Sequence, residues 1–166
     1  KESNFHQDQV YYNVDGEQIV VMWIPVDPVD EHTCLELVKG SHRWPQSFER
    51  RMIKDDLDIS FGEDGAGTFE PVPDITANRA RFEILAWDME PGDCIAFHPM
   101  MLHGSQGNST SRRRRALQTT WLGDDAVYGE RPGDVEPHIT GHHFKPGDPL
   151  VAVESVFPRV WPRPGK

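Results

Sequence analysis

Short apolar segments separated by turn residues restrict the fold of this chain more than any other feature. The segments cover residues 10–14, 19–26, 34–38, 82–87, 94–102, 116–122 and 150–153. Those at 19–26, 34–38, 94–102 and 116–122 are predicted to be strands, and residues 150–153 are expected to be extended. Connections among the first three are too short for crossover helices, and no long stretch has a helical period. Turns are indicated at Asp15-Gly16 and by the Pro-Gly-Asp tripeptides that begin at Pro91, Pro132 and Pro146. The pattern predicts a mainly β protein with a double-stranded β-helix (jelly roll, cupin-like).

The length of 166 residues is enough for one domain with a substantial core. We therefore predict a single jelly-roll domain over residues 1–166, in agreement with the many turns that 14 Gly and 14 Pro imply. An irregular insertion is expected at about residues 45–81, where polar residues and Gly and Pro replace any regular period. It suits a lid or binding loop, or equally a plain surface loop, with one short helix near residues 47–54.

Charge and cysteine content limit the classes of partner and compartment. The formal net charge of −10 and a pI near 5.2 disfavour bulk attraction to nucleic acid or to an anionic membrane, so we expect a small-molecule substrate. Cys34 and Cys94 each lie in an apolar segment and are expected to be buried free thiols. With no secretory signal and no long apolar stretch, a cytoplasmic location is predicted.

His6 and Asp8 are the first candidates for a metal site. Two residues apart on an extended segment, their side chains would point to the same face and could bind one metal ion. His103, at the end of an apolar segment, is the best candidate for the third ligand. Two His and one carboxylate on one side of a metal leave the opposite positions open for chemistry, as in non-haem Fe(II) oxygenases. Chance alone gives about one His-x-Asp/Glu pair in a chain of this composition, so the pair is also compatible with ordinary surface residues.

Other histidines and aromatic residues are weaker candidates. His98, His138, His142 and His143 could be rival ligands, although His142 and His143, adjacent on a strand, would face opposite ways. The residues that could face a substrate, but that more often belong to the core or support the site, are Tyr12, His42, Trp44, Met100 and Trp121.

Several segments, taken together and in this order, match one known family. They are Phe5-His6-Gln7-Asp8-Gln9, the strand ending in Met22-Trp23, residues 34–42, Pro91-Gly92-Asp93, His103-Gly104-Ser105 and Arg114-Arg115-Ala116-Leu117. In this combination the chain resembles the phytanoyl-CoA dioxygenase family of Fe(II)- and 2-oxoglutarate-dependent oxygenases. The resemblance covers residues 5 to about 122. Members of that family carry helices and at least one strand ahead of the His-x-Asp motif, so an N-terminal portion of the fold is expected to be missing from residues 1–166.

The resemblance implies a set of roles for individual residues. His6, Asp8 and His103 would bind Fe(II) as the catalytic centre. The family places an Arg eleven residues after the distal His, which corresponds to Arg114, and this Arg binds the far carboxylate of 2-oxoglutarate; Ser105 and Trp23 match further positions near the co-substrate. A guanidinium suits that task because it meets a carboxylate with two parallel hydrogen bonds. We expect Arg114 to lie on a strand next to that of His103.

The implied reaction is the hydroxylation of a small organic substrate with O2, coupled to conversion of 2-oxoglutarate to succinate and CO2. Two other readings of the same residues remain open. In the first, the chain is another cupin-type metalloenzyme that does not use 2-oxoglutarate, and Arg114 has no role. In the second it is a non-catalytic jelly-roll binding module, and no metal binds. The sequence gives neither the substrate nor the oligomeric state.

Overall fold

The structure, a computed structural model, describes residues 2–50, 69–131, 139–140 and 142–161. Within these ranges the regular elements are β-strands and short 3-10 turns. The strands are β1 (Ser3–His6), β2 (Val14–Asp15), β3 (Ile19–Pro25), β4 (Glu36–Val38), β5 (Ile84–Leu85), β6 (Ile95–Phe97), β7 (His103–Ser105), β8 (Ala116–Leu122) and β9 (Val127–Tyr128). The 3-10 turns cover Gln9–Tyr11, Ser41–Arg43, Arg79–Arg81 and Leu150–Ala152.

The strands form two main antiparallel sheets with a shared core. One has the order β1-β7-β4-β5 and the other β6-β3-β8, while β2 and β9 form a separate pair. Val21 and Trp23 of β3, Phe97 of β6 and Leu37 of β4 belong to one buried apolar cluster, so the two sheets pack against each other. Burying these side chains supplies the main driving force for the sheets to associate. The predicted jelly-roll fold is confirmed.

The four-stranded sheet has a second apolar cluster that involves the predicted insertion. Phe5 of β1 and Val38 of β4 pack with Phe48, Val72 and Ile75. The described parts of the 45–81 segment therefore contact the sheet through buried side chains. Residues 47–50 are not helical, because Phe48 makes a parallel bridge with Glu70 instead. The rest of the expected helix, and residues 51–68 of the insertion as a whole, lie outside the described residues.

Strand predictions are accurate where the apolar segment is long and paired on its whole length. β3 and β8 occupy the predicted segments 19–26 and 116–122 and pair from Ile19 with Leu122 to Pro25 with Ala116. The segment 94–102 was wrongly predicted as one strand. β6 ends at Phe97, a turn follows, and β7 begins in the other sheet. Residues 150–152 form a 3-10 turn rather than the extended segment that was predicted.

The two cysteines differ in exposure. Cys34 is buried and free, as predicted, but Cys94 is exposed, so its predicted burial was wrong. Cys94 directly follows the turn at residues 91–93 and precedes β6, at a position that is still outside the core. Among the described residues no helix has the length and apolar character that crossing a bilayer would need.

Candidate metal centre and co-substrate site

The pairing of β1 with β7 places two histidines opposite each other. Ser3 pairs with Ser105 and His6 pairs with His103, so the four residues of β1 lie opposite the three residues of β7. This irregularity is the signature of a β-bulge, which turns the end of a strand and changes where its side chains point. The two rings lie 4.3 Å apart between centroids, and both side chains are buried.

Asp8 reaches the same place by a different conformation from the one predicted. Its backbone is in the right-handed helical region (φ −73, ψ −36) at the start of the 3-10 turn, not on an extended strand. The backbone N–H groups of Asp8 and Gln9 donate to the carbonyl oxygen of Pro99 at 2.8 and 3.2 Å. These two bonds fix the turn against the chain that leads into β7, and they bring Asp8 to the His pair.

Hydrogen bonds set which nitrogen of each histidine faces the centre. His6 Nδ1 lies 2.7 Å from the carbonyl oxygen of Asn4, and His103 Nδ1 lies 2.9 Å from that of Met101. A carbonyl oxygen only accepts, so each Nδ1 carries the proton. Both Nε2 atoms are left as ligand atoms, which is how metal-binding histidines are usually oriented.

The three side chains converge on one point. Asp8 Oδ1 lies 3.3 Å from His6 Nε2 and 3.4 Å from His103 Nε2, and all potential ligand atoms lie within 4.8 Å of one another. With neutral rings, this geometry would direct three lone pairs at each other. A positive charge at the centre, from a metal ion or from added protons, removes that repulsion. The donor set and its one-sided arrangement fit a divalent iron bound by two His and one carboxylate.

Asp8 is held in its charged form. Burial alone would raise its pKa, but positive charge and hydrogen bonds from His103 and His6, whose Nε2 atoms take up protons when no metal is bound, keep the pKa of Asp8 well below the usual range for a carboxyl. Its second oxygen, Oδ2, accepts a hydrogen bond of 2.9 Å from Gln118 Nε2 on β8. Gln118 therefore leaves Oδ1 as the oxygen that faces the two histidines. Nearby, burial and the negative charge of Asp8 raise the pKa of Tyr12, which stays a neutral phenol.

Arg114 lies beside β7 with a half-buried guanidinium group. Its Nη2 donates to Ser105 Oγ at 3.3 Å, and its Nε donates to the carbonyl oxygen of Thr33. The guanidinium carbon lies 5.4 Å from the ring centroid of Trp23, in cation–π contact. Among the described residues none gives Arg114 an ion pair, and burial lowers its pKa. The structure thus brings together the three residues that the family resemblance associates with the co-substrate.

The neighbouring arginines differ from Arg114 in their partners. Arg112 and Arg115 form exposed ion pairs with Asp30 and Asp27, at 2.9 and 2.8 Å. The expected strand adjacency was wrong, because Arg114 leads into β8, which pairs with β3 in the other sheet and not with β7. The guanidinium reaches β7 across the space between the sheets.

The rival histidines do not join the centre. In the described part of the chain the triad is the one group of His, Cys, Asp or Glu with metal-binding geometry. His98 Nδ1 accepts from the backbone N–H of Met100, and His142 packs against Tyr128 and Phe144 in an irregular segment, not a strand. His138 lies outside the described residues.

The substrate-facing candidates separate into three places. His42, Trp44 and Met100 line one cleft, which also contains Gln9 and His98. Tyr12 lies beside Asp8, and Trp121 is 41% exposed and lines a different groove. Sequence reasoning missed Gln118. Two further polar residues, Thr119 and Thr120, lie beside it on β8, so the sequence contains no signal that singles out Gln118.

Comparison with known families gives a clear result. A model of the phytanoyl-CoA dioxygenase (PhyH) family matches residues 1–116, more than half of the chain. The chain belongs to the phytanoyl-CoA dioxygenase family. Curated relatives agree: human peroxisomal phytanoyl-CoA dioxygenase is 25% identical over 164 residues, covering 92% of this chain and 44% of the relative. A probable phytanoyl-CoA dioxygenase of Caenorhabditis elegans is 26% identical over 126 residues, covering 72% of this chain and 36% of that protein. The chain thus spans less than half the length of these members of the family.

Solved structures show the same fold. The non-haem α-ketoglutarate-dependent carbocyclase SnoK of nogalamycin biosynthesis aligns with a TM-score of 0.64 and 23% identity, over 90% of this chain and 53% of that one. EctD from S. alaskensis, solved with 2-oxoglutarate and 5-hydroxyectoine, aligns with a TM-score of 0.59 and 21% identity, over 90% and 48%. Both likenesses place this member of the phytanoyl-CoA dioxygenase family in the same jelly-roll fold.

Proposed function

We propose that this chain carries the catalytic centre of an Fe(II)- and 2-oxoglutarate-dependent dioxygenase that hydroxylates a small organic substrate and forms succinate and CO2. His6, Asp8 and His103 would hold the iron, with Nε2, Oδ1 and Nε2 as ligand atoms. The observation that carries the proposal is their convergence: the Nε2 atoms of His6 and His103 face one carboxylate oxygen of Asp8 at 3.3 and 3.4 Å. When bound, the iron activates O2 and the co-substrate.

Arg114 supplies the site for the far carboxylate of 2-oxoglutarate. It donates to Ser105 on β7, two residues beyond His103. Residues two apart on a strand share a face and are separated by roughly 7 Å. A five-carbon diacid can span that distance from a metal beside His103 to the guanidinium. Trp23 and Ser105 position the guanidinium, and its half-buried setting strengthens a charge-assisted pair with a carboxylate.

The protein contributes orientation and exclusion of water. The carbonyl oxygens of Asn4 and Met101 keep the His rings in the tautomer that binds metal. The three ligand residues are only 2% to 6% exposed, so little water reaches the centre. A dry site strengthens every charge interaction that the centre makes with its ligands. The cytoplasmic location predicted from the cysteines stays a prediction; the human relative is described as peroxisomal.

An anaerobic titration with Fe(II), with and without 2-oxoglutarate, tests the proposal. The visible charge-transfer band of the iron complex with 2-oxoglutarate is expected to appear only when both are present. Asp8→Ala should abolish the band and the coupled formation of succinate. Arg114→Lys should still bind iron but should lower the affinity for 2-oxoglutarate roughly ten- to hundredfold, because the paired hydrogen bonds are lost.

The same titration separates the rival readings. Iron binding without the band would favour a cupin-type enzyme that does not use 2-oxoglutarate. Absence of iron binding would favour a non-catalytic binding module. Succinate formation that survives Asp8→Ala unchanged would show that the assignment of the centre is wrong.

A further inference from the structure

A second group of polar side chains lies beside the proposed centre and takes no part in holding iron or 2-oxoglutarate. Gln9, His42 and His98 line one cleft with a volume of about 390 Å³. Each contains a buried polar atom without a hydrogen-bond partner among the residues that the structure describes: Gln9 Oε1, His42 Nδ1 and His98 Nε2. Folded proteins rarely bury polar atoms without a partner, and ordered water or a ligand usually supplies it. Three such atoms on one cleft indicate a polar ligand.

The hydrogen-bonding character of two of these atoms is fixed. His98 Nδ1 accepts the backbone N–H of Met100 at 3.1 Å, so in the neutral ring Nε2 carries the proton and is a donor. Gln9 Oε1 is an acceptor. The rings of His42 and His98 lie 6.3 Å apart between centroids, which keeps their nitrogens beyond direct hydrogen-bond distance. A donor and an acceptor in one cleft match a hydroxyl group, which both accepts and donates.

The charges at this cleft disfavour an anionic ligand. Its lining includes the acidic residues Asp15, Glu17 and Glu130 and one basic residue, Arg131. Arg131 is already engaged in an ion pair with Asp15, which leaves two acidic groups in excess. Burial and the nearby Arg43 and His98 also lower the pKa of His42, so its ring is neutral. A polyphosphate handle, such as that of a CoA ester, would meet repulsion here.

Backbone contacts join this cleft to the metal ligands. Gln9 directly follows Asp8, and the backbone N–H groups of both donate to the carbonyl oxygen of Pro99. Pro99 in turn follows His98. The aromatic residues Trp44 and Phe69 also line the cleft and offer apolar surface beside the polar atoms. Ligand pockets commonly combine aromatic walls with a few placed polar groups.

We propose that this cleft binds the substrate of the oxygenase through hydroxyl groups, and that the substrate is a neutral polyhydroxylated ring compound of the glycoside type, not a CoA thioester. The proposal rests on the proposed function, since it assigns the substrate class of that same centre. His98 Nε2 donates to a substrate hydroxyl, and Gln9 Oε1 and His42 Nδ1 complete its hydrogen bonds.

Substitutions that mimic one ring nitrogen at a time test these roles. His98→Asn retains an acceptor near the Nδ1 position and so keeps the contact with Met100, but it removes Nε2. His98→Gln instead places an amide near the Nε2 position. For His42 the pattern is reversed: His42→Gln removes Nδ1 and His42→Asn retains a polar atom there. His32→Asn, at a side chain that is 82% exposed, is the matched control.

Binding is measured on the anaerobic complex with Fe(II) and 2-oxoglutarate, through the change that a second ligand causes in its visible band. The compounds added are methyl and phenyl glucosides, cyclohexanol as a ring with a single hydroxyl group, and octanoyl-CoA. We expect a saturable response to the glucosides. His98→Asn and His42→Gln should each lower the affinity for the glucosides about tenfold, the effect of one lost hydrogen bond. His98→Gln, His42→Asn and His32→Asn should retain most of that affinity.

The outcomes distinguish the two proposals. Failure of the wild-type protein to form the band would overturn the proposed function itself. A normal band with no response to any glucoside, or with a response to octanoyl-CoA alone, would overturn the assignment of substrate class and leave the dioxygenase function standing. Equal glucoside affinity in all five variants would overturn the role of the cleft.

Discussion

Replacing Gln118 by Leu tests whether the metal centre depends on a residue that cannot itself bind the metal. Gln118 Nε2 donates to Asp8 Oδ2 at 2.9 Å and holds the carboxylate with Oδ1 toward the two histidines. Leu has a similar size and no hydrogen-bonding group. Without the donor the carboxylate can rotate, and Oδ1 is no longer fixed at the position where a metal needs it. We expect iron affinity to fall while the fold is retained.

The size of the effect follows from the environment of each partner. A hydrogen bond to a charged group contributes about 1.5–3 kcal/mol, which corresponds to roughly ten- to hundredfold in affinity. Loss of a group that supports a metal ligand falls in the same range. Asp8 is only 6% exposed, which favours the upper end. Gln118 itself is exposed, so water can replace part of its hydrogen bond, and we therefore expect an effect at the lower end of this range. The expected loss is about tenfold.

Equilibrium dialysis against Fe(II) under anaerobic conditions measures this affinity directly. Gln18→Leu is the matched control, since it is the same substitution at another exposed glutamine, next to β3. Its iron affinity should be unchanged. Urea unfolding of both metal-free variants shows whether the fold is intact. Iron affinity within twofold of wild type in Gln118→Leu, or an equal loss in the control, would refute the positioning role.

Three further substitutions or measurements test the surroundings of the centre. Gly104→Ala should destabilise the protein by about 1–3 kcal/mol in urea unfolding and weaken iron binding, because a Cβ there would lie 3.0–3.1 Å from backbone atoms of β1. Glu36→Gln should lower the free energy of unfolding by about 1–2 kcal/mol at pH 7. The loss is moderate because Glu36 is buried but its partner Arg79 is 40% exposed, and water weakens the ion pair. Burial would raise the pKa of Glu36, but its hydrogen bonds lower the pKa below the usual value. The stabilisation from Glu36 is therefore present above the pKa of the unfolded state and is lost as the pH falls through the pKa of the folded state. The unfolding free energies of wild type and Glu36→Gln should converge in acid. In thiol titration with Ellman's reagent Cys94 should react in the folded protein, and the buried Cys34, whose pKa burial raises, only after unfolding.

The sequence was sufficient to predict the fold class and the identity of the three side chains that meet. Apolar segments with tight turns predicted paired sheets. β3 follows its segment closely because its apolar residues bury alternate positions, and β8 follows its own because it pairs with β3 along its whole length. The His-x-Asp pair was predicted for the wrong reason, however. His6 and Asp8 share a face because a bulge and a 3-10 turn bend the chain, not because it is extended. Such bends depend on tertiary hydrogen bonds, which periodicity does not reveal.

Two contacts at the centre join the two sheets and follow from no periodicity. Nothing in a one-dimensional pattern relates Gln118 to Asp8, which is 110 positions away, and Arg114 was associated with Ser105 only through the family resemblance. Asp8 contacts both sheets at once: Oδ1 faces histidines of the four-stranded sheet and Oδ2 is held from β8 of the other. The distance between the sheets therefore sets the geometry of the carboxylate. The apolar cluster that fixes this distance, which includes Trp23 and Leu37, must be close-packed for the metal site to keep its shape.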